Sequence, residues 1–80
     1  MARANETIER LLAEVLQLPV TDVTDDLLMK NVDVWDSLKH MELIVSLETA
    51  FGRQFTFDEI VVMQSVREIK RVLEGKGGQG

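Results

Sequence analysis

The sequence predicts an all-α fold: a four-helix bundle with a short third helix and a long loop between helices 1 and 2. Three observations predict it. Apolar residues recur at helical spacing in three separated segments. Each of those segments is bounded by a cap or a breaker. Eighty residues leave room for one domain with one small core.

Ile8, Leu11, Leu12, Val15 and Leu16 follow the i, i+3, i+4, i+7, i+8 rule, while Glu9, Arg10 and Glu14 fill the other face. This spacing predicts an amphipathic helix over roughly 4–17, stopped by Pro19. Residues 18–36 show no sustained period. Asp22, Asp25, Asp26, Asp33 and Asp36 stand among scattered apolar residues with one base, Lys30. Aspartate favours turns and caps, so the segment reads as a loop. Leu27, Leu28, Val32 and Val34 are the expected pins that hold it on the core.

The second helix is expected to start at Ser37. Its expected buried stripe is Leu38, Met41, Ile44 or Val45, Leu47 and Phe51, and Gly52 ends it as a C-terminal glycine. The segment RQFTFDEIVVMQ predicts one or two helical turns at about 57–62, with a strand of IVVM as the alternative by propensity. Ser65 with Glu68 three residues later is a capping-box pattern. It opens a last helix with Val66, Ile69, Val72 and Leu73 inward. Residues 1–75 are thus expected to form a single domain and 76–80 a flexible tail. No internal repeat appears.

Composition excludes several function classes. The net charge is −5, which argues against nucleic acid, because phosphate binding relies on Lys and Arg. Residues 1–65 hold twelve acids and five bases, whereas 66–80 hold two acids and four bases. An acidic body favours basic protein surfaces as partners, and it also simply keeps a small protein dissolved. There is no cysteine, hence no disulfide, thiolate metal site or cysteine nucleophile. No apolar run is long enough to span a bilayer, and the N-terminus lacks a hydrophobic signal core. A cytoplasmic, non-membrane protein is expected.

Few residues offer chemistry. His40, the one histidine, cannot build a metal cluster alone and is expected at the surface or its boundary. It lies three residues after Ser37, but a Ser-His pair also needs an orienting acid and an oxyanion hole. No nucleophile-elbow glycines flank Ser37. The aspartate-rich loop lacks the alternating acids, central glycine and terminal glutamate of a calcium loop. No metal site, catalytic residue or glycine-rich phosphate loop is expected. Ser37 itself stands at the first turn of a helix, where backbone N–H groups lack partners and the macrodipole favours negative charge. Read locally, Asp36 or Ser37 is an N-cap. A phosphate ester on Ser37 would also meet a site ready to accept it.

The stretch DSLKHMELIVSLETAF (36–51) closely resembles the second-helix signature of acyl carrier proteins. The resemblance spans essentially residues 5–74: an amphipathic first helix, a long loop, the Asp-Ser-Leu helix, a glycine after its phenylalanine, a short third helix and a Ser-Val start to the fourth. It implies that Ser37 is esterified to 4′-phosphopantetheine, donated by coenzyme A through a phosphopantetheinyl transferase. The arm's thiol would carry acyl groups as thioesters, so a chain without cysteine would take part in thiol chemistry without being an enzyme. The resemblance assigns Asp36 to engaging the transferase and Leu38 to packing under the attachment point. It assigns Met41, Glu42, Val45 and Glu48 to docking on basic patches of acyl-loading and acyl-processing enzymes. Core packing for Met41 and Val45, and a solvated face for Glu42 and Glu48, are the competing readings of the same positions. The resemblance implies a monomer. It leaves two places for an acyl chain: partly inside the core between the helices as in some family members, with Met41, Met63 and the Val/Ile-rich helices yielding, or outside the protein.

The stretch departs from the common fatty-acid-synthesis pattern. Trp35 precedes Asp36, Lys39 and His40 follow Leu38, and Thr49 stands where another acid is frequent. Residues 36–51 hold three acids and one base. The Trp-Asp-Ser-Leu-x-His pattern looks like that of discrete carriers in polyketide, modified-sugar or surface-polymer assembly, rather than bulk fatty acid synthesis. Two other readings share the fold: an aminoacyl or peptidyl carrier, and a small helical interaction module that uses the acidic face without a cofactor.

Overall fold

The computed structural model describes residues 2–74, with side chains from residue 5 onward. Four α-helices run in chain order: α1 (Ala2–Leu16), α2 (Ser37–Phe51), α3 (Phe57–Val62) and α4 (Val66–Glu74). No strand forms among the described residues; Leu28 and Ser65 make one isolated antiparallel bridge. The four-helix reading holds: Ile60–Val62 of IVVM lie in α3 and Met63 is its C-cap, with no strand there. The expected tail at 76–80 lies outside the described residues.

The amphipathic face of α1 forms as its spacing dictates. Ile8, Leu12 and Leu16 are buried, with Leu11 and Val15 partly so. The helix ends before Pro19 can act. Gln17 turns into the left-handed region at φ 59°, and the Leu18 amide donates to the Ala13 carbonyl at 3.0 Å. That bond, from two residues past the end back to the fourth-last carbonyl, is a Schellman closure. α2 closes the same way on Gly52 (φ 66°), with Arg53 N–H donating to the Glu48 carbonyl at 3.2 Å.

The long loop is ordered by two single 3-10 turns, Val20–Asp22 and Met29–Asn31. It is tied to the start of α4 by two backbone bonds: Met29 N–H to Gln64 O at 2.8 Å and Val66 N–H to Leu27 O at 3.1 Å. Leu27 and Val32 pack partly buried against the core, as expected; Leu28 is half-buried, Val34 is exposed, and Val23 and Trp35 are the fully buried pins. A second tie is ionic. Lys70 of α4 lies 2.8 Å from Glu9 of α1 and 2.6 Å from Asp25 of the loop.

α3 is a short helix with both ends held. Thr56 and Glu59 form a reciprocal capping box, with Glu59 N–H to Thr56 Oγ1 at 3.1 Å and Thr56 N–H to Glu59 Oε1 at 2.9 Å. Arg53 donates to both Glu59 oxygens and to the Val72 carbonyl, and its guanidinium lies 4.7 Å above the Phe55 ring. Ser65 caps α4 by accepting from Glu68 N–H at 3.1 Å. Val66, Ile69 and Val72 of α4 are buried and Leu73 is partly buried, as expected.

The buried face of α2 is the expected one at Ile44, Leu47 and Phe51, but it takes in His40 and Leu43 in place of Leu38 and Met41. His40, Leu43, Ile44 and Leu47 are inside, with Phe51 packed partly against them. Leu38, Met41 and Val45 are exposed at 68%, 47% and 57%. α2 carries apolar side chains on two faces, so periodicity offers two phases. Trp35 turns inward beside His40, and that selects the phase carrying residues 40, 43, 44 and 47. Met41 therefore cannot yield inside the core, whereas Met63 is fully buried there.

Candidate functional site

The start of α2 is shaped by Asp36. Its backbone is extended (φ −95°, ψ −173°), and its carboxylate accepts from the Lys39 amide at 2.9 Å. Its carbonyl accepts the first intrahelical bond, from His40 N–H at 2.8 Å. Asp36 is therefore the N-cap, and Ser37 is the first helical residue. This settles which of the two caps the helix, and it leaves the serine hydroxyl free. Among the described residues that hydroxyl makes no hydrogen bond, and the side chain is exposed. The backbone N–H groups of Ser37 and Leu38 likewise have no protein partner among the described residues. A hydroxyl on the outside of a helix N-terminus, beside two unpaired N–H donors, suits a phosphate ester.

Two side chains next to Ser37 point in opposite directions. Leu38 faces solvent, and with Val15, Met41, Glu42, Val45 and Ser46 it lines a shallow, mostly apolar groove of about 520 Å³. Trp35 points inward and is 2% exposed. His40, expected at the surface or its boundary, is 6% exposed, which corrects that reading. Its burial costs little because both ring nitrogens are satisfied: Trp35 Nε1–H donates to Nδ1 at 3.0 Å, and Nε2 lies 3.0 Å from the Ile60 carbonyl. A tryptophan donor and a histidine acceptor five residues apart across a helix start were the sequence signal for this pairing.

The charged positions divide. Glu42 is exposed and pairs with Lys39 at 3.3 Å. Glu48 is half-buried, and its carboxylate accepts from the Phe55 amide at 3.0 Å, so it stabilises the turn into α3. Sequence reasoning passed over α3 as a surface, yet Phe57, Val61 and Val62 are 77%, 48% and 50% exposed. Among the described residues no group of three or more His, Cys, Asp or Glu could hold a metal ion. None of the described helices is long and apolar enough to cross a membrane.

The sequence model of the family described as "Phosphopantetheine attachment site" matches residues 6–73. The chain is 36% identical over 74 residues to polyketide-8 synthase acyl carrier protein 2 of Streptomyces avermitilis, covering 91% of this chain and 84% of that one. The chain belongs to the phosphopantetheine attachment site family. It is a carrier protein whose cofactor is phosphopantetheine, and the match favours that reading over a cofactor-free interaction module.

Proposed function

We propose that Ser37 is the residue that carries the arm, and that this chain is a discrete acyl carrier serving a polyketide-type assembly pathway. The observation that carries the proposal is the free, exposed Ser37 hydroxyl at position one of α2, with Asp36 already used as the cap. The family supplies the cofactor, and the similarity to a polyketide synthase carrier supports the pathway class. The residues present fit a phosphodiester: Ser37 and Leu38 offer unpaired N–H groups. The Asp36 carboxylate is turned onto Lys39 N–H, which draws it toward the helix. When bound, the arm supplies a thiol that holds an acyl group as a thioester.

The chain's own residues do the presenting. α2 projects Ser37 at its tip, while Leu38, Met41 and Val45 form an exposed apolar ridge behind it and Glu42 adds charge. We assign Met41, Glu42 and Val45 to docking on the transferase and on acyl-loading and acyl-processing enzymes with basic patches. Glu48 belongs to the same face but is partly committed to the Phe55 amide. A few apolar anchors ringed by charge give a brief, selective contact suited to a carrier that visits several enzymes. The tether itself raises the effective concentration of cargo at each of them. A cytoplasmic setting is part of the proposal.

The absence of cysteine gives a clean test. Incubation with coenzyme A and a broad-specificity transferase is expected to create one titratable thiol per chain. Digestion is then expected to locate it on the peptide containing Ser37. A thiol on a different peptide overturns the site assignment.

A further inference from the structure

Trp35 and His40 flank Ser37 in sequence, two residues before it and three after it. Both are buried, with ring centroids 6.0 Å apart and tilted by 40°. Because His40 Nδ1 accepts from the Trp35 indole N–H, its proton lies on Nε2, which donates to the Ile60 carbonyl. Ile60 is in the last turn of α3, where carbonyls lack full intrahelical pairing; among the described residues its oxygen otherwise receives only a long bond of 3.3 Å from Met63 N–H. One neutral imidazole therefore joins the segment before Ser37, the first turn after it, and the C-terminal end of α3. The backbones of α2 and α3 otherwise meet little. An apolar residue at position 40 would fill the space, but only directional hydrogen bonds fix the angle and separation of the parts they join.

We propose that His40 is a positioning residue: with Trp35 it sets α3 against the Ser37 end of α2, so that Leu38, Met41 and Val45 of α2 and Phe57 and Val61 of α3 meet the arm-attaching transferase as one surface. The proposal rests on the Ser37 reading for its functional half. Its structural half stands on the hydrogen-bond relay alone.

The test uses the full chain without the arm, as wild type, Trp35→Phe, His40→Leu, the double variant and His40→Gln. Trp35→Phe removes the donor and keeps an aromatic body, which guards against misfolding of the His40 variants. Amide exchange across residues 57–62 is expected to accelerate roughly fivefold in Trp35→Phe and His40→Leu, the equivalent of about 1 kcal/mol for one net hydrogen bond. Transferase KM for the chain is expected to rise by a similar factor with kcat unchanged. The double variant should be no worse than the worse single one, because both act through one relay. His40→Gln, which retains an acceptor and a donor, should recover part of the loss. Unchanged α3 exchange in His40→Leu overturns the positioning role. So do losses that simply add in the double variant. Faster α3 exchange with an unchanged KM overturns the link to the transferase. If wild type takes up no arm, the Ser37 reading fails, and the relay is judged by α3 exchange alone.

Discussion

Gln17 and Gly52 occupy the same position of two Schellman closures, yet only one of them is a glycine. A side chain in the left-handed region meets its own backbone, and glycine does not. Gln17→Gly is therefore expected to stabilise the chain by about 0.5–1 kcal/mol, seen as a rise in the midpoint of thermal or urea unfolding. Gly52→Ala should do the opposite for the same reason, since no atom within 4 Å would obstruct the added Cβ. Asp36 was legible only as one of two candidate caps, with Ser37 the other, and Ser37 became informative only through the surrounding layout. His40 was missed, because a lone histidine gives no periodic signal; the Trp35 donor five residues earlier was the one local hint, and its other partner lies on α3. At the docking face, Met41→Ala and Val45→Ala are expected to leave stability within about 0.5 kcal/mol, since both side chains are exposed. The same changes should weaken binding to the transferase. Equal binding by both variants would remove them from the docking surface. Glu42→Lys is the cleaner charge probe, because Glu48→Lys also removes the acceptor of the Phe55 amide.

α3 shows what an element needs when it is too short to stand alone. Six residues cannot hold a helix by propensity, since nucleation costs more than the few bonds return. Its order comes from the Thr56–Glu59 box, the Arg53 fork and the His40 bond at its far end. Thr56→Ala is expected to cost about 1 kcal/mol and to loosen α3 before the rest of the molecule, which site-resolved amide exchange would show. The Thr-x-x-Glu box was present in the sequence, as was the Ser65–Glu68 pattern, but only the second was read. α1 and α4 were legible because each has one apolar face. α2 was legible as a helix but not in its rotation, since Leu38, Met41 and Val45 form a second apolar stripe beside the buried one. The docking surface proposed above would account for that ambiguity, since local pattern cannot tell an exposed apolar stripe from core.

Across the whole molecule, Lys70 gathers α1, the long loop and α4 into one unit. The Lys70 hydrogen bond, followed by the charges of Lys70 and Arg67, outweighs desolvation and holds Asp25 below its usual 3.8. Burial pushes Lys70 down, but the hydrogen bonds it donates to Asp25 and Glu9, with their charges, outweigh it and raise the amine above 10.5. Asp25 therefore contributes stability that is present above the ordinary carboxylate range and is lost as pH falls through its lowered folded pKa. Lys70 contributes stability that is present below 10.5 and is lost as pH rises through its raised folded pKa. Glu59, held low by the Thr56 amide and then by Arg53, adds to the acid limb. Thermal melts of wild type and Lys70→Met are expected to differ most at neutral pH and to converge toward both extremes. A difference independent of pH would mean that Lys70 acts through its methylenes alone. None of this tie was visible in the chain, because Glu9, Asp25 and Lys70 are brought together only by the fold.

The central claim is that Ser37 bears the arm, and intact mass after incubation with coenzyme A and a transferase tests it most directly. The account predicts that wild type gains the mass of one phosphopantetheine and that Ser37→Ala, folded to the same helical content, gains none. An equal gain in Ser37→Ala, or no gain in wild type, would contradict it.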